Sequence, residues 1–133
     1  MENKIKQLRK GIFELAILGA LESRQHYGYS LVKTITGGLS ISINEGTLYP
    51  ILSRLSKEGL VDSQWVESSQ GPPRKYYSLT PKGTETLAAL CQEFDNLVAM
   101  IRQVRESAGM EADSLESKHI SVRKGESDES SLS

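Results

Sequence analysis

The chain has 133 residues, 38% of them apolar, and a formal net charge of −1. That length allows one domain with an appendage. No apolar run approaches the roughly 20 residues of a membrane span, and a single cysteine, Cys91, excludes an internal disulfide framework or a Cys-rich zinc site.

The start Met1-Glu2-Asn3-Lys4-Ile5-Lys6 lacks the apolar core and cleavage site of a signal peptide, so a cytoplasmic protein is expected. Charge is unevenly distributed. Residues 1–83 carry eleven Lys/Arg against seven Asp/Glu, whereas residues 84–133 carry five against ten. The positive excess of the first part suits a nucleic-acid partner, and a solvated surface could also carry it.

In chain order, the first helix is predicted from Ile5 to Glu22. Ile5, Leu8, Ile12, Leu15 and Gly19 form one stripe at helical spacing. Phe13, Ala16, Ile17, Ala20 and Leu21 form a second, so this helix must bury two sides. A second helix, Tyr27 to Thr36, turns Leu31, Val32 and Ile35 inward and stops at Gly37-Gly38.

The third begins near Ser42, where Ser42-Ile43-Asn44-Glu45 has the form of a capping box. Leu48, Ile51, Leu52 and Leu55 are its buried stripe, and Pro50 predicts a kink or a start nearer Thr47. Gly59 followed by Leu60 predicts a Schellman stop.

Next comes a hairpin, Leu60 to Glu67 against Arg74 to Leu79. Gly71-Pro72-Pro73 is expected as the turn, which would put Arg74 and Lys75 at the tip. Tyr76 and Tyr77 point to opposite faces of the strand, so one of them belongs to the core.

Thr80 as N-cap and Pro81 in the first turn open a last helix. In it Leu87, Leu90, Phe94, Leu97, Ile101, Val104 and Ala108 alternate at spacings of three and four, an a/d seam. At roughly 40 Å the helix exceeds what a small domain needs, which predicts a homodimer. Residues 109–133 hold seven serines and scattered charge, so a disordered tail is expected.

The fold class is therefore mainly α with a small β-hairpin (α+β). A winged helix-turn-helix over residues 1–83 is followed by a long C-terminal dimerisation helix, 84–108, and the tail, 109–133.

Three motifs in this order resemble the PadR family of bacterial transcriptional regulators. They are Tyr27-Gly28-Tyr29-Ser30-Leu31, then Gly46-Thr47-Leu48-Tyr49-Pro50-Ile51-Leu52-Ser53-Arg54-Leu55 with Gly59-Leu60-Val61, then Arg74-Lys75-Tyr76-Tyr77-Ser78-Leu79-Thr80-Pro81-Lys82-Gly83. The resemblance covers residues 5–108, and the single C-terminal helix is similar to the short-form subfamily. It implies a dimeric repressor that a ligand or signal releases from a double-stranded DNA operator.

In a winged helix-turn-helix the third helix enters the major groove, and its early residues face base edges. Ser42, Asn44, Thr47 and Tyr49 are the candidates here, with Asn suited to bidentate pairing with adenine and Tyr49 also suited to packing beside Pro50. Arg74 and Lys75 are candidate phosphate contacts. So are Arg9 and Lys10, with Lys6, at the start of the first helix. Arg54 and Lys57 lie too late on the third helix to do more than touch phosphate.

The resemblance places an effector at the dimer interface, with Phe94 as the aromatic facing it and Leu8, Gly11, Leu15, Gly19 and Val98 around it. A small, apolar aromatic compound would fit such a site, and ordinary dimer core is the competing reading. Catalysis finds no support: His26 falls in a loop, His119 in the tail, and no metal or cofactor motif is present. Two further readings stay open. One is a winged-helix protein–protein interaction module without DNA binding, and the other a regulator switched by a Cys91 thiol.

Overall fold

The structure is a computed structural model that describes residues 1–37 and 41–125. Its elements are α1 (Glu2–Ser23), β1 (His26–Tyr27), α2 (Gly28–Thr36), α3 (Glu45–Lys57), β2 (Val61–Ser68), β3 (Gly71–Leu79) and α4 (Pro81–Gly125). The chain separates into two compact units, one from Met1 to Gln92 and one from Glu93 onward. The first is mostly helical with a three-stranded antiparallel sheet of order β1-β3-β2, a winged helix.

Its core is built from one face of each element. Ile17, Leu18 and Leu21 of α1 meet Leu31 of α2, the expected stripe Leu48, Ile51, Leu52 and Leu55 of α3, Tyr77 of β3 and Leu87 of α4. Tyr77 is the core member of the tyrosine pair, and Tyr76 is half-buried. Leu18 lies outside both stripes assigned to α1 and is nonetheless fully buried.

α3 starts at Glu45, and its cap is Asn44, not Ser42. Asn44 Oδ1 accepts a hydrogen bond from the Thr47 N–H at 2.9 Å. Because that cap satisfies a first-turn donor, the helix needs no later start. Pro50 sits within it at the cost of one backbone bond. The stop is the expected one. Gly59 has φ +76°, its N–H donates to the Ser56 carbonyl and the Leu60 N–H to that of Leu55, the paired bonds of a Schellman end.

The hairpin differs from expectation at its turn. Ser68 pairs with Gly71, so the loop is Ser69-Gln70, and Gly71-Pro72-Pro73 belong to β3. The prolines are tolerated because the ladder is irregular there: pairing shifts between Val66 and Ser68, and a bulge needs no donor from the extra residue. Consequently Arg74 pairs with Val66 and Lys75 with Trp65, on the body of the wing and not at its tip.

His26 does not lie in a loop, as its sequence context suggests. It forms β1 with Tyr27 opposite Tyr77 and Tyr76, only 2% exposed, with Nδ1 2.9 Å from Ser30 Oγ. Burial first, then the nearby Arg24 charge, lowers its pKa below the ordinary 6.5, while a hydrogen bond to the Ala20 backbone acts the other way. A lowered folded-state pKa means the unfolded chain binds the proton more readily. The contribution is therefore present above 6.5 and is lost as pH falls from there towards the folded-state value. Urea unfolding on either side of that pH should show lower stability on the acid side, and His26→Gln should flatten the difference.

α4 opens as expected, with Thr80 Oγ1 accepting from the Gly83 N–H at 2.9 Å. The same hydroxyl donates to the Gly59 carbonyl at 2.7 Å and ties the helix start to the end of α3. The helix does not stop near Ala108 but runs to Gly125, through part of the stretch expected as a disordered tail. The sequence carries a reason: positions 87, 94, 101, 108, 115 and 122 are Leu, Phe, Ile, Ala, Leu and Val, an unbroken sevenfold spacing with no proline. Residues 126–133 of that tail, and Gly38 of the expected α2 stop, lie outside the described residues.

Candidate nucleic-acid interface

The residues assigned to DNA gather around two concavities of the first unit. The larger, about 680 Å³, lies between the start of α1 and the start of α3. It is lined by Lys6, Arg9, Lys10 and Phe13 on one side and by Ser42, Asn44 and Thr47 on the other, with Asn3 and Gln7. Among the described residues no carboxylate lines it. Lys10, Ser42, Asn44 and Thr47 line it from the surface, and Arg9 is half-buried. The cap bond engages Asn44 Oδ1, the acceptor that bidentate pairing with adenine would use, so Nδ2 is its freer group.

The second cleft, about 270 Å³, is where α2, α3 and the wing meet. Its walls are Tyr27, Gly28, Tyr49, Trp65 and Tyr77, with Arg74 and Lys75 at the rim. A Cβ at Gly28 would overlap the Tyr49 hydroxyl, so the absent side chain is what lets this ring lie across the start of α2. Tyr49 is still 44% exposed, which leaves it both a packing role and a solvent-facing one. Burial first, then the neighbouring Tyr49, raises the Tyr77 pKa and keeps that phenol protonated.

Both wing cations rest on aromatic rings. Arg74 Cζ lies 4.4 Å from the centre of the Tyr27 ring. Lys75 Nζ lies 6.0 Å from the Trp65 ring and 5.8 Å from that of Tyr77. Such contacts hold a cation in place without neutralising it. Sequence reasoning missed Tyr27 and Trp65 as partners of these cations. The Trp65–Lys75 pairing would have followed from the correct turn, because cross-strand neighbours are fixed by register. Arg54 is engaged elsewhere, in an exposed ion pair with Glu14 at 3.1 Å.

The residues assigned to an effector divide differently. Leu15 packs on the core of its own unit, whereas Leu8 is 73% exposed. A Cβ at Gly11 or Gly19 would meet nothing within 4 Å, so neither glycine is required by packing within the chain. Phe94 is exposed and Val98 half-buried, both in the second unit.

Of the seam, Leu87 is only 2% exposed and belongs to the core, which removes it from the residues offered to a partner. Leu90, Phe94, Leu97, Ile101 and Val104 are exposed. Cys91 is a free, exposed thiol. Among the described residues no group of three His, Cys, Asp or Glu could hold a metal ion, and no helix is long and apolar enough to cross a membrane.

Comparison with known proteins agrees with this architecture. Residues 17–89 match the family model described as the transcriptional regulator PadR-like family. A PadR family transcriptional regulator from Eggerthella lenta is 31% identical, with a TM-score of 0.70 over 77% of this chain and 89% of that one. A PadR-like transcriptional regulator from Bacillus cereus is 35% identical, with a TM-score of 0.64 over 74% of this chain and 95% of that one. An uncharacterised protein of Lysinibacillus sphaericus is 30% identical over 94 residues, 69% of this chain and 86% of its own length. With its helix-turn-helix, wing and long last helix, the chain belongs to the PadR-like family of transcriptional regulators.

Proposed function

We propose that the protein is a homodimeric repressor that reads a DNA operator with the start of α3, steadies it with the wing and α1, and releases it when an apolar effector binds. The observation that carries this reading is the pair of concavities flanking α3, lined by Lys6, Arg9, Lys10, Arg74 and Lys75 and, among the described residues, by no carboxylate. Cations without an ion-pair partner among the described residues, beside Ser42, Asn44 and Thr47, suit a polyanion whose bases are read between its phosphates.

Dimerisation is supported by the stripe Phe94, Leu97, Ile101 and Val104, each 41–62% exposed along one helix. A narrow apolar seam of that period is what a partner helix covers. The uncovered face of α1 around Leu8, Gly11 and Gly19 supports a second contact, where an effector could enter. Light scattering should give the mass of two subunits, and Leu97→Asp should give one. A single-subunit mass for the unmodified protein would remove the dimer from the proposal.

Base reading is tested at Asn44 with a replacement that keeps the cap. Asn44→Ser retains an oxygen for the Thr47 N–H and removes the amide, so the fold should hold. Discrimination between DNA from the gene's own upstream region and random DNA should fall by roughly 1–3 kcal/mol if the amide contacts a base. Unchanged discrimination would move specificity to Ser42, Thr47 or Tyr49.

A further inference from the structure

A ridge of tyrosines and cations continues from the wing onto α2. Arg74 lies over the Tyr27 ring, whose centre is 5.4 Å from that of Tyr76 and 6.4 Å from that of Tyr29. The Tyr27 and Tyr29 planes are within 16° of parallel, and Lys33 Nζ sits 5.5 Å from the Tyr29 ring centre. Lys33 is one helical turn beyond Tyr29, so both occupy the same face of α2. Arg24 joins them in lining a concavity of about 520 Å³ that shares Tyr27 with the cleft beside α3.

Among the described residues no carboxylate is ion-paired with Arg24, Lys33 or Arg74, whereas Arg54 has Glu14. Tyr29 is half exposed, and its hydroxyl has no hydrogen-bond partner among the described residues.

We propose that this ridge is a second backbone track for duplex DNA, in which Arg24, Lys33 and the Tyr29 hydroxyl take phosphates flanking the bases that α3 reads. The inference rests on the DNA-binding reading and extends it to residues outside both α3 and the wing. Three features point to a phosphodiester chain. The cations are uncompensated, and ring stacking has already restricted Arg74 and Lys33, so less freedom is lost on binding. Cations and tyrosine hydroxyls are the side-chain groups that contact phosphate without reading sequence. The ridge is also continuous, through Tyr27 and Arg74, with the cleft beside α3. An acidic protein surface would meet the same cations, but it would not release condensed counterions as a duplex does.

The test is the salt dependence of affinity for a random-sequence duplex, measured on the full chain. Arg24→Ala with Lys33→Ala should weaken binding on every sequence and reduce the slope of log K against log salt by about 1.8, or about 0.9 for each phosphate no longer neutralised. Lys33→Arg should keep the slope. Arg102→Ala with Arg105→Ala makes the same change in net charge on α4 and should leave the slope alone.

If the Arg24 and Lys33 pair leaves the slope unchanged while Arg74→Ala with Lys75→Ala lowers it, the ridge proposal is overturned and the DNA reading survives. Equal losses from the Arg24 and Lys33 pair and from the α4 pair would reduce the ridge to a general effect of charge, and also overturn it. If the unmodified protein binds neither random nor upstream duplex at low salt, the DNA reading and the ridge fall together.

Discussion

Leu52→Ala is expected to destabilise the winged-helix unit by about 2–5 kcal/mol, the range for deleting buried methyl groups that surroundings cannot refill. Leu52 is fully buried at the centre of α3, among Leu48, Leu55 and the α1 residues Ile17 and Leu18. Native domains are stable by only about 5–15 kcal/mol in total, so this one change removes a large share. Because α3 also presents the residues proposed to read DNA, affinity for DNA should fall with stability. Ser53→Ala, next in sequence but exposed, should stay within about 0.5 kcal/mol of the unmodified protein. Urea unfolding curves settle both, and a midpoint for Leu52→Ala that matches that of Ser53→Ala would show that α3 does not anchor the core.

The second large effect is expected from Arg74→Ala with Lys75→Ala. Both side chains are exposed and stack on rings that remain when they are removed, so the fold should persist. With two phosphates no longer neutralised, the log–log salt dependence should flatten by about 1.8, and binding to operator and random DNA should weaken alike. An unchanged slope would mean that the wing does not touch the backbone, and would favour a protein–protein role for it.

Much of this arrangement was legible in the sequence, and the exceptions have identifiable causes. The α3 stripe from Leu48 to Leu55 and the Gly59 stop were readable because both depend on local periodicity and a single left-handed residue. The hairpin register was not. Gly71-Pro72-Pro73 has the composition of a turn, but the ladder shift beside it absorbs both prolines within β3. The α3 cap went to Asn44 rather than Ser42 because either oxygen could serve, and only the backbone path decides which reaches a first-turn N–H.

Leu87 was assigned to the seam by spacing, yet spacing cannot tell a partner's core from the chain's own. The helical continuation to Gly125 was hidden for a related reason, since serines and charges outweighed a sevenfold apolar repeat. The Tyr29–Lys33 contact follows from their spacing on α2, but its link to Arg74 joins elements distant in sequence and emerges only in the fold.

Sequence-specific DNA binding through α3 is tested most directly by titrating the protein onto labelled DNA from its gene's own upstream region, with random duplex as competitor at fixed salt. The expected result is saturable binding to the upstream DNA that survives an excess of random duplex and falls steeply as salt is raised. Equal affinity for both DNAs, or no binding to either at low salt, would contradict it.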